Sequence, residues 1–188
     1  MKLPSKIKGW FNPEINPEKV LKNYRATNNN EYLSLLVAQF NRDLYHYLLS
    51  QSDRATADDI LQTTWLKVIN VNGQQAEIKH VKSWLFTIAR NTLIDELKRQ
   101  LRWKFVELEP QSSSTLPLDD LIDTEQLLMK YNQFIAELNF YQREAFILQQ
   151  EGFSLEQIGE ISDENYETIK SRLRYARQKL KSVLEQSS

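Results

Sequence analysis

FSLEQIGEISDENYETIKSRLRYARQKL, residues 153–180, decides how this chain is read. Ser154 stands where a helix N-cap belongs: its hydroxyl can accept the free amide three residues on, while Gln157 reaches back, the capping-box spacing. Gly152 supplies a turn after the apolar-faced run ending in Phe146, Ile147 and Leu148. Leu155, Ile158 and Ile161 form one stripe of a short helix, and Gly159 is small where a following helix must cross closely. Ser162, Asp163 and Glu164 make the turn. Ile169, Leu173, Ala176, Leu180 and Leu184 then recur at helical spacing on the inner side of a longer helix. Its other face presents Thr168, Lys170, Ser171, Arg172, Arg174, Tyr175 and Arg177. A short capped helix, a tight turn and a longer basic helix are the parts of a DNA-reading helix-turn-helix. The second helix fits the major groove; Arg and Lys near its start reach guanine O6 and N7, and the rest neutralise phosphates. A surface helical hairpin with a solvated charged face would use the same residues, so the motif alone leaves both readings open.

Working outward, the charge is segregated although the formal net charge is only −1. Residues 1–25 are basic, and so are residues 80–104, through Lys82, Arg90, Lys98, Arg99, Arg102 and Lys104. Residues 105–164 hold only Lys130 and Arg143 among many acids, and residues 165–181 swing back to basic. Local potential, rather than net charge, steers a polyanion.

Upstream, residues 31–50 place Leu33, Leu36, Val37, Phe40, Leu44 and Tyr47 at helical spacing. ATADDILQTTWLKVIN, residues 55–70, opens with acids, as a helix N-terminus prefers, and carries Ile60, Leu61, Thr64, Trp65 and Val68 as an apolar stripe. VNGQQAEIK, residues 71–79, reads as a connection. In residues 80–103, Val81, Trp84, Leu85, Ile88 and Thr92 line one helical face, and Leu93, Leu97 and Leu101 continue on an adjacent one. Pro110, the QSSST run and Pro117 then break any helix, with Asp119, Asp120, Asp123 and Glu125 following. The expected organisation is all-α. A basic N-terminal arm, expected to be flexible, covers 1–27; two small helical domains cover 28–103 and 128–188; a flexible acidic linker, 104–127, joins them.

Composition closes off other classes. With no cysteine, disulfides, zinc fingers and thiol catalysis are excluded. No apolar run approaches the roughly 20 residues of a membrane helix, and the basic N-terminus lacks a signal-peptide core, so a cytoplasmic protein without membrane insertion is expected. His46 and His80 have no metal-like partner at helical spacing, the carboxylates are scattered, and no phosphate-binding glycine loop is present. Neither an enzyme, a metal, a cofactor nor a small-molecule substrate is expected.

Three stretches together carry a family resemblance. Residues 153–180, and TIKSRLRYARQKL (168–180) throughout, resemble the fourth domain of extracytoplasmic-function RNA polymerase sigma factors. ATADDILQTTWLKV, 55–68, resembles that family's helix docking on the polymerase clamp, and KSWLFTIARNTLIDELKR, 82–99, the helix that reads and opens the −10 element. The resemblance implies sigma domain two followed by a helix-turn-helix sigma domain four. Its partners would be core RNA polymerase, promoter DNA and an anti-sigma factor. Asp58, Asp59, Gln62 and Trp65 would form the polymerase-binding surface, with Trp65 equally suited to core packing. Trp84, Leu85 and Ile88 suit the core better than DNA stacking. Arg90, Asn91, Asp95, Lys98, Arg99 and Arg102 are the −10 candidates, with Asn91 where the family sets a polar residue beside a flipped base. The 70–80 connection would wall that base pocket. The −35 element falls to Thr168, Lys170, Ser171, Arg172, Arg174, Tyr175 and Arg177. The acidic linker would thread a basic polymerase channel.

Departures from the family pattern exist. No aromatic lies between Trp65 and Trp84, the turn carries Asp163 instead of glycine, and Glu164 and Glu167 put negative charge at the leading end of the basic helix. Two rival readings predict different behaviour. A polymerase-independent DNA-binding regulator would dimerise on palindromic sites, and a degenerate sigma homologue acting as a protein-interaction module would direct no transcription.

Overall fold

The computed structural model describes residues 16–70, 78–104 and 124–185. Among them, eight helices and no strand are present: α1 (Pro17–Thr27), α2 (Asn30–Gln51), α3 (Arg54–Ile69), α4 (Val81–Lys104), α5 (Thr124–Glu137), α6 (Phe140–Gln150), α7 (Leu155–Ser162) and α8 (Tyr166–Glu185). Residues 71–77 and most of the acidic linker, 105–123, lie outside the described residues, so the pocket wall and the channel-threading segment expected there do too.

The helix starts follow from local chemistry. Asn16 caps α1 by accepting the Lys19 amide at 2.8 Å, with Pro17 pre-set for the first turn. Asp53 caps α3, accepting the Thr56 amide and hydroxyl, each at 2.9 Å, and these bonds hold its carboxyl below the ordinary range. The stretch 17–27, expected within a flexible arm, is therefore a folded helix: Val20, Leu21 and Tyr24 are buried as α1 packs on α2 and α4. Only residues 1–15 of the expected arm lie outside the described part. The second unit starts its helix at Thr124, a few residues before the expected boundary.

In the first unit, α2, α3 and α4 bury Leu36, Phe40, Leu44, Ile60, Leu61, Val68, Leu85 and Leu93. In the second, α5–α8 bury Phe134, Phe146, Leu148, Ile158, Ile161, Ile169, Leu173 and Ala176, with Phe134 and Phe146 edge-to-face at 4.9 Å. The two units also pack on each other, α6 against α2 and α7 against α4. No described helix is long and apolar enough to cross a membrane.

Candidate nucleic-acid and polymerase interfaces

The helix-turn-helix forms as its residues dictate. The Ser154 amide donates to Gln157 Oε1 at 2.9 Å, and the Gln157 amide to Ser154 Oγ at 3.2 Å, completing the capping box. Gly152 takes φ +90° before it, a value that few side chains tolerate. Asp163 closes α7 in the left-handed region, φ 55°, so aspartate does here what glycine does more often. Gly159 carries the close approach: a Cβ there would sit 2.7 Å from the Glu164 carbonyl oxygen. Gly159→Ala is expected to force the turn apart and destabilise the second unit by about 1–3 kcal/mol, read as a lower denaturant midpoint.

The outer face of α8 exposes Lys170, Ser171, Arg174, Tyr175 and Arg177, with Thr168 half-buried. Arg177 donates to Gln149 at 3.0 Å, and Lys170 stands 3.4 Å from Glu167 in an exposed pair. Arg172 differs from the others. Its side chain is 16% exposed, its Nη2 donates to Glu164, and its guanidinium lies 4.8 Å from the centre of the Tyr141 ring. It braces the turn against α6 as well as edging the basic face.

On α4, Asn91, Asp95, Lys98 and Arg102 fall on one exposed stripe, with Arg99 beside it in an exposed pair with Glu96 at 2.8 Å. Asp95, Arg99 and Arg102 form one wall of a groove of about 600 Å³, whose other wall is Thr56, Asp59, Gln62 and Leu66 of α3. Three of the −10 candidates, Asp95, Arg99 and Arg102, therefore share one cleft with two of the polymerase candidates, Asp59 and Gln62, which their sequence separation hides. Arg90 departs from this set. It lies off that stripe, is buried, and its Nε donates to Glu144 of the second unit at 2.8 Å. In this arrangement Arg90 is unavailable to DNA, correcting its expected place.

Trp65 is also corrected as a surface anchor: it is 9% exposed and its indole N–H donates to Asn41 at 2.8 Å. Asp58 is half-buried, and Asp59 and Gln62 are exposed. The apolar member of their stripe is Leu66, 57% exposed, followed by Ile69 at 42%. The signal was in the sequence, since 59, 62, 66 and 69 share one helical face, but the larger aromatic drew the assignment. His46 and His80 belong to no group of side chains able to hold a metal ion among the described residues.

Where the units meet, Glu144 lies between Arg90 and Tyr47. Burial and the Glu144 carboxylate raise the Tyr47 pKa well above its ordinary value. Nearby, burial and the neighbouring Asp43 carboxylate push Glu151 up to about 7, against the opposing pull of Lys82.

Comparison with known proteins adds the family. The family model described as Sigma-70 region 2 matches residues 36–103, and the one described as Sigma-70, region 4 matches residues 128–180. The chain is 26% identical over 153 residues to the RNA polymerase sigma factor YlaC of Bacillus subtilis, covering 81% of this chain and 85% of YlaC. It is 26% identical over 126 residues to a probable RNA polymerase sigma-C factor of Mycobacterium bovis, and spans 65% of that relative's length. The sigma factor RpoE of Bartonella quintana, solved with the anti-sigma factor NepR, superposes with a TM-score of 0.69 at 26% identity, covering 84% of this chain and 98% of RpoE. CnrH, solved with the cytosolic domain of CnrY, shares the fold at a TM-score of 0.65 and 19% identity, over 92% of this chain and 100% of CnrH. With region 2 on α2–α4 and region 4 on α5–α8, in that order, and the two together spanning more than half of the chain, the chain belongs to the sigma-70 family.

Proposed function

We propose that this protein is a transcription initiation factor that binds core RNA polymerase with its first unit and reads the −35 element with α8. The stripe Asn91, Asp95, Lys98 and Arg102, with Arg99, meets the −10 element as it opens. The reading is carried by one observation: a capped, glycine-spaced helix-turn-helix with an exposed basic face stands in the same chain as the α3–α4 cleft. The work is done by binding energy alone, in the cytoplasm where polymerase and promoters are. Pulling a base from the stack costs a few kcal/mol, which polar contacts along α4 must offset. Opposite charges divide the labour: Asp58 and Asp59 on α3 suit a basic or polar protein partner, and Lys170, Arg174 and Arg177 suit phosphates. As RpoE was solved with NepR and CnrH with CnrY, an anti-sigma factor is the regulatory partner expected here.

The test is transcription in vitro from fragmented genomic DNA, with core polymerase alone and with this protein added. New transcripts from discrete start sites sharing upstream elements are expected. Binding to polymerase without transcripts would point to an inhibitory homologue, and no binding to a polymerase-independent regulator.

A further inference from the structure

We propose that Glu167 is a specificity-determining residue of α8: its carboxylate accepts the N4 amino group of a cytosine in the major groove of the −35 element. This role rests on the reading of α8 proposed above, and the experiment below separates the two.

Three acids stand at the turn of the helix-turn-helix, Asp163, Glu164 and Glu167, and the fold employs two of them. Asp163 closes α7 in the left-handed region, and Glu164 accepts a hydrogen bond from Arg172. Glu167 has neither task. The start of α8 is capped by Asn165, whose Oδ1 accepts the Thr168 amide at 2.8 Å. The Glu167 side chain is 76% exposed, and both its oxygens stand 3.4 Å from Nζ of Lys170, itself exposed. An exposed pair of this kind contributes little to stability. The carboxylate is presented to solvent at the leading end of the helix.

Its place on the helix decides what it meets. Glu167, Ser171, Arg174 and Gln178 recur at helical spacing and are all exposed, on the side of α8 opposite the buried Ile169, Leu173 and Ala176. They form the middle of the outward face, and the cations Lys170, Arg177 and Lys181 run along one flank of it. A helix in the major groove sets its middle stripe against base edges and its flanks against phosphates, and in a helix-turn-helix its first turns contact the bases. The middle stripe carries an acid, a hydroxyl, a guanidinium and an amide, the groups that tell bases apart by their donors and acceptors.

The chemistry selects the base. A carboxylate only accepts hydrogen bonds. Guanine offers it O6 and N7, both acceptors, and thymine offers O4 and a methyl group. Adenine sets its N6 amino group beside the N7 lone pair, which repels a second acceptor. Cytosine presents its N4 amino group with no acceptor beside it, so cytosine is the base that Glu167 suits. Lys170, also 5.9 Å from the centre of the Tyr166 ring, offers donors to O6 and N7 of the paired guanine. Among phosphates a carboxylate is repelled on every sequence, so Glu167 weakens binding to DNA in general and recovers that loss only at cytosine. From Glu167 to Arg174 the helix rises about 10 Å at ~1.5 Å per residue, so the base pairs they meet lie about three steps apart at ~3.4 Å each.

The experiment takes a promoter found by transcription in vitro, randomises its −35 element, and selects the library for binding to core polymerase carrying the full chain. The parent is expected to favour cytosine over guanine about tenfold or more at one position, about three base pairs from the one that Arg174→Ala relaxes. Glu167→Ala should flatten that position alone, while raising affinity for DNA of unrelated sequence about threefold or more. Glu167→Gln should move the preference there from cytosine to adenine, whose N6 and N7 a glutamine amide pairs with. If Glu167→Ala instead lowers the melting temperature of the second unit and changes affinity equally at every position, Glu167 serves the helix start, and the proposal is overturned. A base other than cytosine at the position that Glu167→Ala flattens would overturn it too. If Arg174→Ala shifts a position and Glu167→Ala shifts none, α8 reads the −35 element and only the role of Glu167 falls. If neither variant shifts any position, the reading of α8 falls with it.

Discussion

Lys170→Glu combined with Arg174→Glu is expected to lower −35-dependent transcription about 100-fold or more, while binding to core polymerase is unchanged. Both side chains are on the exposed face of α8 and neither supports the core, so the fold should tolerate the reversal. A base or phosphate contact contributes about 1–3 kcal/mol, and reversing the charge adds repulsion to that deficit. The salt dependence of promoter binding should also fall, by about one unit of slope for each phosphate no longer neutralised. Arg172→Glu should behave differently. It sets a second carboxylate against Glu164 and removes the stack on Tyr141, so it should lower the melting temperature of the second unit as well as weaken DNA binding. Unchanged promoter binding in the Lys170, Arg174 double variant would show that α8 does not read the −35 element.

Leu66→Asp is expected to weaken binding to core polymerase at least about 30-fold, about 2 kcal/mol, with little change in stability. At 57% exposure the leucine contributes little to the core, yet it stands beside Asp59 and Gln62 on the cleft wall. An exposed apolar residue rimmed by polar ones is the usual centre of a docking surface. Trp65→Ala provides the contrast. Trp65 is buried and hydrogen-bonded to Asn41, so its removal should cost about 3–5 kcal/mol of folding stability, and any weaker binding should follow unfolding. Equilibrium affinities measured with circular dichroism melts separate the two cases. Parent-like affinity in Leu66→Asp would move the polymerase surface off α3.

What could be read from residues alone tracks how local the physics is. The α7–α8 unit was legible because a capping box, a turn and an i, i+4 stripe are all decided within a few residues. α1 was missed although its signals, Asn16 before Pro17 with Glu18 in the first turn, were just as local. The strong basic bias around it suggested an arm, and the burial of Val20, Leu21 and Tyr24 depends on α2 and α4 being there to receive them.

The sequence by itself determined the all-helical character, the place of the two units along the chain, and the basic face of α8, since periodicity, capping and charge are properties of neighbouring residues. Only the tertiary structure decided which member of a helix face is free. It buried Trp65 and left Leu66 out, because which side of α3 meets α2 and α4 is settled by packing. It alone brought Asp59 and Arg99 to one cleft, and took Arg90 from the expected DNA set to Glu144, 54 residues away. Pairings at that separation leave no trace in local spacing, because burial and ion pairing act through space, between side chains the sequence keeps far apart.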